Sequence, residues 1–203
     1  ADLDRALKTD PRSADALALQ SIIAVVQNDK EQALGLATNA VAANPQSASA
    51  KIALSYAQQA NFDVDGALKS LQEAVKTEPN NALAWSRVAE LHLSLQQLDE
   101  GMEAAQKAVS LNPNVERAHT VLGFAYLLQV KTKEAQAEFQ QAHEIDQAAA
   151  LPQLGLGLAK FREGKVEEGR REMEVAASLD PNNAMIRSYL GKAYFEEKRD
   201  DLT

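Results

Sequence analysis

The run Glu116-Arg117-Ala118-His119-Thr120-Val121-Leu122-Gly123-Phe124-Ala125-Tyr126, followed by Glu134-Ala135, Phe139, Ala142 and Gln147, decides the fold, because it is written twice. Thirty-four residues on stand Leu156-Gly157, Gly169, Met173, Ala176 and Pro181. The period extends through the chain. Pro11, Pro45, Pro79, Pro113 and Pro181 are spaced by multiples of 34, with Gln147 in the one empty slot. Ala6, Ala40, Ala74, Ala108, Ala142 and Ala176 form a second series in the same step. A fixed period of 20–50 residues is the signature of stacked supersecondary units.

Each period reads as helix, turn, helix, stop. Residues 14–27 carry apolar residues on several faces; Asn28-Asp29 turns the chain, and Asp29 suits an N-cap for a second helix through Ala43. Asn44-Pro45 stops it, since the residue before proline is pushed out of the helical region. The phrase recurs at 48–61 and 64–77, 82–95 and 98–111, 116–129 and 132–146, and 150–163 and 166–179. A short helix within 1–10 precedes these, and a last one runs from Ala184 to about Lys198. That predicts about twelve helices and no strand.

Close packing accounts for the pattern. Small residues recur where two antiparallel helices must approach: Ala89, Gly123, Gly157 and Gly191 on first helices, and Ala33, Ala67, Gly101, Ala135 and Gly169 on second ones. Large residues flank them at Leu54, Val88, Leu122, Leu156 and Leu190. One hairpin cannot bury such a face, but a stack can.

These residues resemble the tetratricopeptide repeat family, whose pattern asks for Trp, Leu-Gly, Tyr, Ala, a bulky residue, Ala and Pro. Residues 116–149 supply Leu122-Gly123, Tyr126, Ala135, Phe139 and Ala142; residues 82–115 supply Trp85, Ala89, Ala108 and Pro113; residues from 184 supply Leu190-Gly191 and Tyr194. The resemblance covers essentially the whole chain. It implies an all-α, right-handed α-solenoid of antiparallel helix hairpins. The 203 residues form a single array: a half repeat at 1–13, full repeats at 14–47, 48–81, 82–115, 116–149 and 150–183, and a half repeat at 184–203. Two departures stand out. Gln147 lacks the stop proline, so a longer second helix or an altered twist is expected between Asp146 and Pro152. Residues 14–47 are the weakest copy, with Leu17, Gln20, Ser21 and Ala24 at the Trp, Leu, Gly and Tyr places.

In this family the first helices line a concave groove, and the second, fifth, ninth and twelfth residues of each repeat touch ligand. Carried over, those positions hold Asp15, Ala18, Ile22 and Val25; Ser49, Ile52, Tyr56 and Gln59; Leu83, Ser86, Glu90 and Leu93; Arg117, Thr120, Phe124 and Leu127; Leu151, Leu154, Leu158 and Phe161; and Met185, Ser188, Lys192 and Phe195. Steps of three and four place each set on one helical stripe. The stripe is most apolar at Phe124, Leu127, Leu151, Leu154, Leu158, Phe161 and Phe195, a composition that suits an amphipathic helix or an extended apolar peptide. The same residues also suit packing against the first helix of the adjacent repeat. Two specialisations of the family are missing from the residues. The clamp for a terminal carboxylate needs Lys, Asn and Arg where Ala18, Ile22, Ile52, Tyr56, Ser86 and Glu90 stand. The asparagine ladder of the sugar-transferase superhelices would need asparagine at the sixth position, which holds Leu19, Ala53, Arg87, Val121, Gly155 or Tyr189.

The resemblance implies a protein or peptide partner, and composition argues against the other classes. The chain has a net charge of −8 and no dense Lys/Arg run, against phosphate binding on nucleic acid. No stretch reaches 18 consecutive apolar residues, so membrane insertion is not expected. There is no cysteine, hence neither disulfide nor thiolate metal site. No Gly-rich phosphate loop, metal-ligand spacing or nucleophile motif appears, so no enzyme activity and no cofactor are expected. His92 and His119 occupy places usually filled by aromatic core residues and read as packing, and Glu167-Glu168 and Glu196-Glu197 read as solvated faces.

The ends read as cut mid-repeat. Leu3 and Leu7 at one end, and Leu190, Tyr194 and Phe195 at the other, are expected to lack cover, with a partner helix beginning near Asp200-Asp201-Leu202. The chain opens at Ala1-Asp2-Leu3-Asp4 without Met, like an excised or processed piece. Two expectations follow: a segment of a longer array, or end-to-end self-association through uncapped terminal helices. Ser188 to Glu197 resembles parts of long bacterial cell-envelope proteins of this family, which leans the localisation to the periplasm. The function expected is a protein–protein interaction scaffold. The alternative is a recruiting or regulatory arm of a larger enzyme or envelope export machine lying outside this segment.

Overall fold

The computed structural model describes residues 2–200, and these are helical throughout apart from turns. In order the helices are α1 (Asp2–Thr9), α2 (Ala14–Val26), α3 (Lys30–Ala43), α4 (Ala48–Ala60), α5 (Val64–Thr77), α6 (Ala82–Ser94), α7 (Leu98–Leu111), α8 (Glu116–Leu128), α9 (Thr132–Ile145), α10 (Ala150–Arg162), α11 (Val166–Leu179) and α12 (Ala184–Asp200). Among the described residues there is no strand. The fold class is that of a repeat solenoid built from helix hairpins. The helices group into two compact units, residues 1–91 and 92–203, with the boundary inside α6.

In the first unit α2 pairs with α3 and α4 with α5, and α2 and α3 both pack on α4. The core is largely alanine. Ala24, Ala33, Ala37 and Ala57 are enclosed beside Leu34, Leu36 and Leu54, and Ala18, Ala40, Ala50 and Ala53 beside Leu17, Ile22 and Val41. Small side chains bring helix backbones close, and each buried methyl adds to the apolar area removed from water. The weak copy is repaired locally. Ser21 stands at the position of Gly123 and Gly157, is fully buried, and donates its hydroxyl to Ala33 O at 2.8 Å across the hairpin.

In the second unit α8 pairs with α9 and α10 with α11, and α7, α9 and α11 each pack on the helix that follows. Phe139 and Leu154 are the large enclosed side chains of two clusters. One holds Leu127, Ala135 and Ala159; the other holds Met173, Ala176, Ile186 and Ala193. Leu190 is not open as expected, because it lies against the second cluster. Tyr194 and Phe195 are exposed, and Leu3 and Leu7 are half-buried. Asp201 and Leu202, where a partner helix was expected to begin, lie outside the described residues.

The junction at Gln147 corrects one expectation. α9 has 14 residues, the same length as α3, α5, α7 and α11, so the second helix is not longer there. The stop comes from the preceding residue. Asp146 Oδ1 accepts from the Ala148 amide at 2.9 Å, just as Asn44 does from Gln46 and Asn112 from Asn114, both at 3.0 Å. An Asx turn of this kind satisfies the chain without proline.

The period also appears in the backbone. Asn28, Phe62, Gln96, Val130 and Gly164, each 34 residues apart, all have φ between 60° and 78°. This left-handed residue ends every first helix in the series. A β-branched residue there is strained by about 1–2 kcal/mol. Val130 is 72% exposed, so its side chain contributes little packing in return. Val130→Gly is expected to stabilise the chain by about 1 kcal/mol, since glycine carries no such strain. A higher urea midpoint with unchanged slope would show it.

Candidate peptide-binding face

In the first unit the stripe meets a buried ionic network. Arg87, on α6, is 3% exposed, and its guanidinium lies 3.8 Å from the centroid of the Tyr56 ring on α4. Its Nε donates to Ser55 Oγ at 3.3 Å, Nη2 to Gln59 Oε1 at 2.6 Å and Nη1 to Glu90 Oε2 at 3.3 Å. The Tyr56 hydroxyl donates to the same carboxylate oxygen at 3.2 Å. A buried guanidinium is tolerated only when its donors are used and a counter-ion is near. Tyr56, Gln59 and Glu90 of the stripe are thus held by Arg87, whose sixth-position register gave no hint of this role. The one sequence signal was the i, i+3 spacing of Arg87 and Glu90. Ile52 is half-buried against Ala48, Ala74 and Ala84, while Leu83 is exposed.

In the second unit the stripe divides by depth. Leu127 is 4% exposed and Leu154 is wholly enclosed, so both belong to the core and leave the proposed contact surface. Leu127 shares a cluster with Ala135 and Phe139 of α9 and Ala159 of α10, and Leu154 shares one with Met173 and Ala176 of α11 and Ile186 and Ala193 of α12. Thr120 at 3% is buried as well. Phe124 is half-buried, edge-on to Phe139 with ring centroids 5.0 Å apart. Leu158 touches both clusters, and Phe161 packs on the second. Leu93 is half-buried, its side chain filling the space above Gly101 of α7. The accessible part of the stripe comprises Arg117, Leu151, Met185, Ser188, Lys192 and Phe195, with Phe124, Leu158 and Phe161 at its edge. The stripe positions of this unit carry Arg117 and Lys192 and no acid. The glutamates of α11 lie elsewhere: Glu167 pairs with Arg171 at 2.5 Å and Glu174 with Arg170 at 2.6 Å along that helix, and Glu172 pairs with Lys160 of α10 at 2.7 Å.

The three histidines each have a separate partner. His92 Nδ1 lies 2.7 Å from Gln97 Oε1, His119 pairs with Glu138, and His143 lies against the buried Gln153 amide. His119 is buried as expected, but in a polar clasp rather than an apolar one. Among the described residues no group of three or more His, Cys, Asp or Glu is arranged to hold a metal, and no helix is long and apolar enough to cross a membrane.

Comparison with known proteins fits this architecture. Two family models, each described as Tetratricopeptide repeat, match residues 58–123 in one case and residues 1–48 and 154–202 in the other. No curated protein matches the chain in sequence. Among solved structures, TTC0263, a thermophilic TPR protein of Thermus thermophilus, is 19% identical; the match covers 90% of this chain and 99% of that one, with a TM-score of 0.78. The APC/C hetero-tetramer Cut9-Hcn1 is 16% identical over 97% of this chain and 39% of that one, with a TM-score of 0.81. YrrB, described as a TPR protein with an unusual peptide-binding site, is 18% identical over 95% and 98% of the two chains, with a TM-score of 0.55. With the 34-residue period, the helix hairpins and both family models in agreement, the chain belongs to the tetratricopeptide repeat family.

Proposed function

We propose that this chain is a non-enzymatic scaffold that captures a peptide or an amphipathic helix of a protein partner on the first-helix stripe of its second unit. The observation that carries the reading is the exposure of large apolar side chains at ligand-contact positions: Leu151 at 37%, Met185 at 46% and Phe195 at 65%. Large apolar side chains gathered on one face favour a partner that covers them. The positive charge of Lys192 among them favours a segment that combines apolar residues with Asp or Glu. A peptide-binding site in a protein of the same fold supports the same reading.

Selection from a displayed peptide library tests it. Enriched peptides are expected to combine Leu or Phe with carboxylates. Leu151→Glu with Phe195→Glu is expected to weaken their binding at least about tenfold, the equivalent of 1.4 kcal/mol, while the far-ultraviolet circular dichroism stays unchanged. Charges at Phe124 and Leu158 would be poor probes, because both side chains also hold the core together. Undiminished binding by the double variant would overturn the assignment.

A further inference from the structure

His119 stands where α8, the first helix of its repeat, meets both its partner helix α9 and the turn before it. The residue is 6% exposed. Its Nδ1 lies 2.6 Å from Glu138 Oε2 on α9, and its Nε2 lies 2.8 Å from the carbonyl oxygen of Pro113, in the turn between α7 and α8. A carbonyl oxygen only accepts, and so does a carboxylate; a neutral imidazole has one N–H to give. Both bonds form together only when the ring is an imidazolium. The charged groups that act on the ring are Glu138 from α9 and Glu116 from one turn earlier on α8, both acidic. Glu116 in turn accepts from the Thr120 hydroxyl at 2.5 Å.

The repeat supplies its own control. Thirty-four residues earlier, Trp85 Nε1 donates to the carbonyl oxygen of Pro79 at 2.8 Å. The tie between first helix and preceding turn is the same, but indole does not titrate. In the following repeat the same position holds Gln153, which turns to His143 instead.

We propose that His119 is a proton-operated clasp: charged, it binds α9 and the inter-repeat turn to α8; neutral, it gives up one of the two. The consequence reaches the stripe, because Glu138 directly precedes Phe139, whose ring supports Phe124. The hydrogen bond from His119 Nδ1 to the Glu138 carboxylate raises the His119 pKa above the ordinary 6.5, burial opposes it, and the Pro113 carbonyl adds to the rise. A pKa raised on folding contributes stability that is full below the unfolded value and is lost as pH rises through the folded value. The clasp is therefore closed in weak acid and opens toward alkaline pH.

Nitrogen-15 NMR of the His119 ring in the wild-type chain is the decisive measurement. Two protonated ring nitrogens below pH 6.5, with the midpoint of deprotonation above it, are expected. A neutral ring at pH 6.5, or a midpoint below that value, would overturn the proposal. In urea unfolding from pH 6 to 9, the wild type is expected to lose stability with rising pH. Glu138→Gln and His119→Trp, the latter copying the preceding repeat, are expected to flatten that loss, since neither keeps the imidazolium–carboxylate pair. Equal pH dependence in wild type and a folded variant would also overturn it, and if neither variant folds the ring spectrum alone decides.

Discussion

Phe139→Ala is expected to cost about 3–5 kcal/mol, the range for truncating an enclosed aromatic to alanine. Phe139 has no exposed surface. Its ring fills the space left by two glycines on successive first helices: a Cβ added to Gly123 would stand 2.6 Å from the ring, and one added to Gly155 2.4 Å from it. Phe124 meets it edge-on. Those surroundings place the cost toward the upper end. A cavity is cheapest where neighbours can collapse into it, and glycines on rigid helices have no side chain to move. Phe139→Leu, which keeps most of the volume, is expected to cost less than half as much. Urea unfolding should be followed by circular dichroism, because the single tryptophan, Trp85, lies in residues 1–91 and does not report on this cluster. In a repeat stack each unit touches mainly its neighbours, so faster amide exchange should concentrate in α8 to α11. Uniformly faster exchange, or a loss under about 1 kcal/mol, would contradict the packing described.

The fold was legible because two kinds of signal repeat in step. The prolines and alanines at 34-residue spacing set the period, and the small residues at fixed register told which faces meet. The expected helix boundaries lie within two residues of those observed. What sequence could not supply was depth. Stripe positions follow from register alone, yet whether a stripe residue is a surface or a core residue depends on how near the next first helix comes. Leu154 is gathered into the cluster of Met173, Ala176 and Ile186, while Leu151, one turn away, stays at the surface. The Arg87 network was hidden for a related reason. Its partners Ser55, Tyr56 and Gln59 lie about one period back in sequence, and nothing in a single repeat announces the pairing. The left-handed residues at 28, 62, 96, 130 and 164 could have been found from the period, but Asn, Phe, Gln, Val and Gly share no chemistry that marks the position. The Asx turn at Asp146 was likewise readable from Asn44 and Asn112, because the side-chain acceptor recurs at all three junctions whether or not proline follows.

The sharpest test of the packing account is that one substitution should have opposite signs at two copies of one repeat position. Gly157 and Gly191 occupy the same place in successive repeats. A Cβ on Gly157 would stand 2.8 Å from the carbonyl oxygen of Gly169 and 2.8 Å from Met173 Cγ; a Cβ on Gly169 would stand 2.7 Å from the carbonyl oxygen of Gly157. The α10 and α11 backbones touch there, and neither can give way by a rotamer change. Met173 is enclosed and cannot swing aside. Overpacking of this kind costs about 1–3 kcal/mol, here toward the top because backbone must move. Alanine recovers roughly 1 kcal/mol of helix propensity over glycine. Gly157→Ala is therefore expected to lose about 2 kcal/mol net. At Gly191 nothing lies within 4 Å of the added Cβ, so only the propensity gain remains. Gly191→Ala should stabilise α12 by about 0.5–1 kcal/mol. Gly35 in α3, equally open, is expected to behave like Gly191. Thermal unfolding of the three single variants reads all three signs. If Gly157→Ala proved as stabilising as Gly191→Ala, close backbone approach would not be what glycine serves in this repeat.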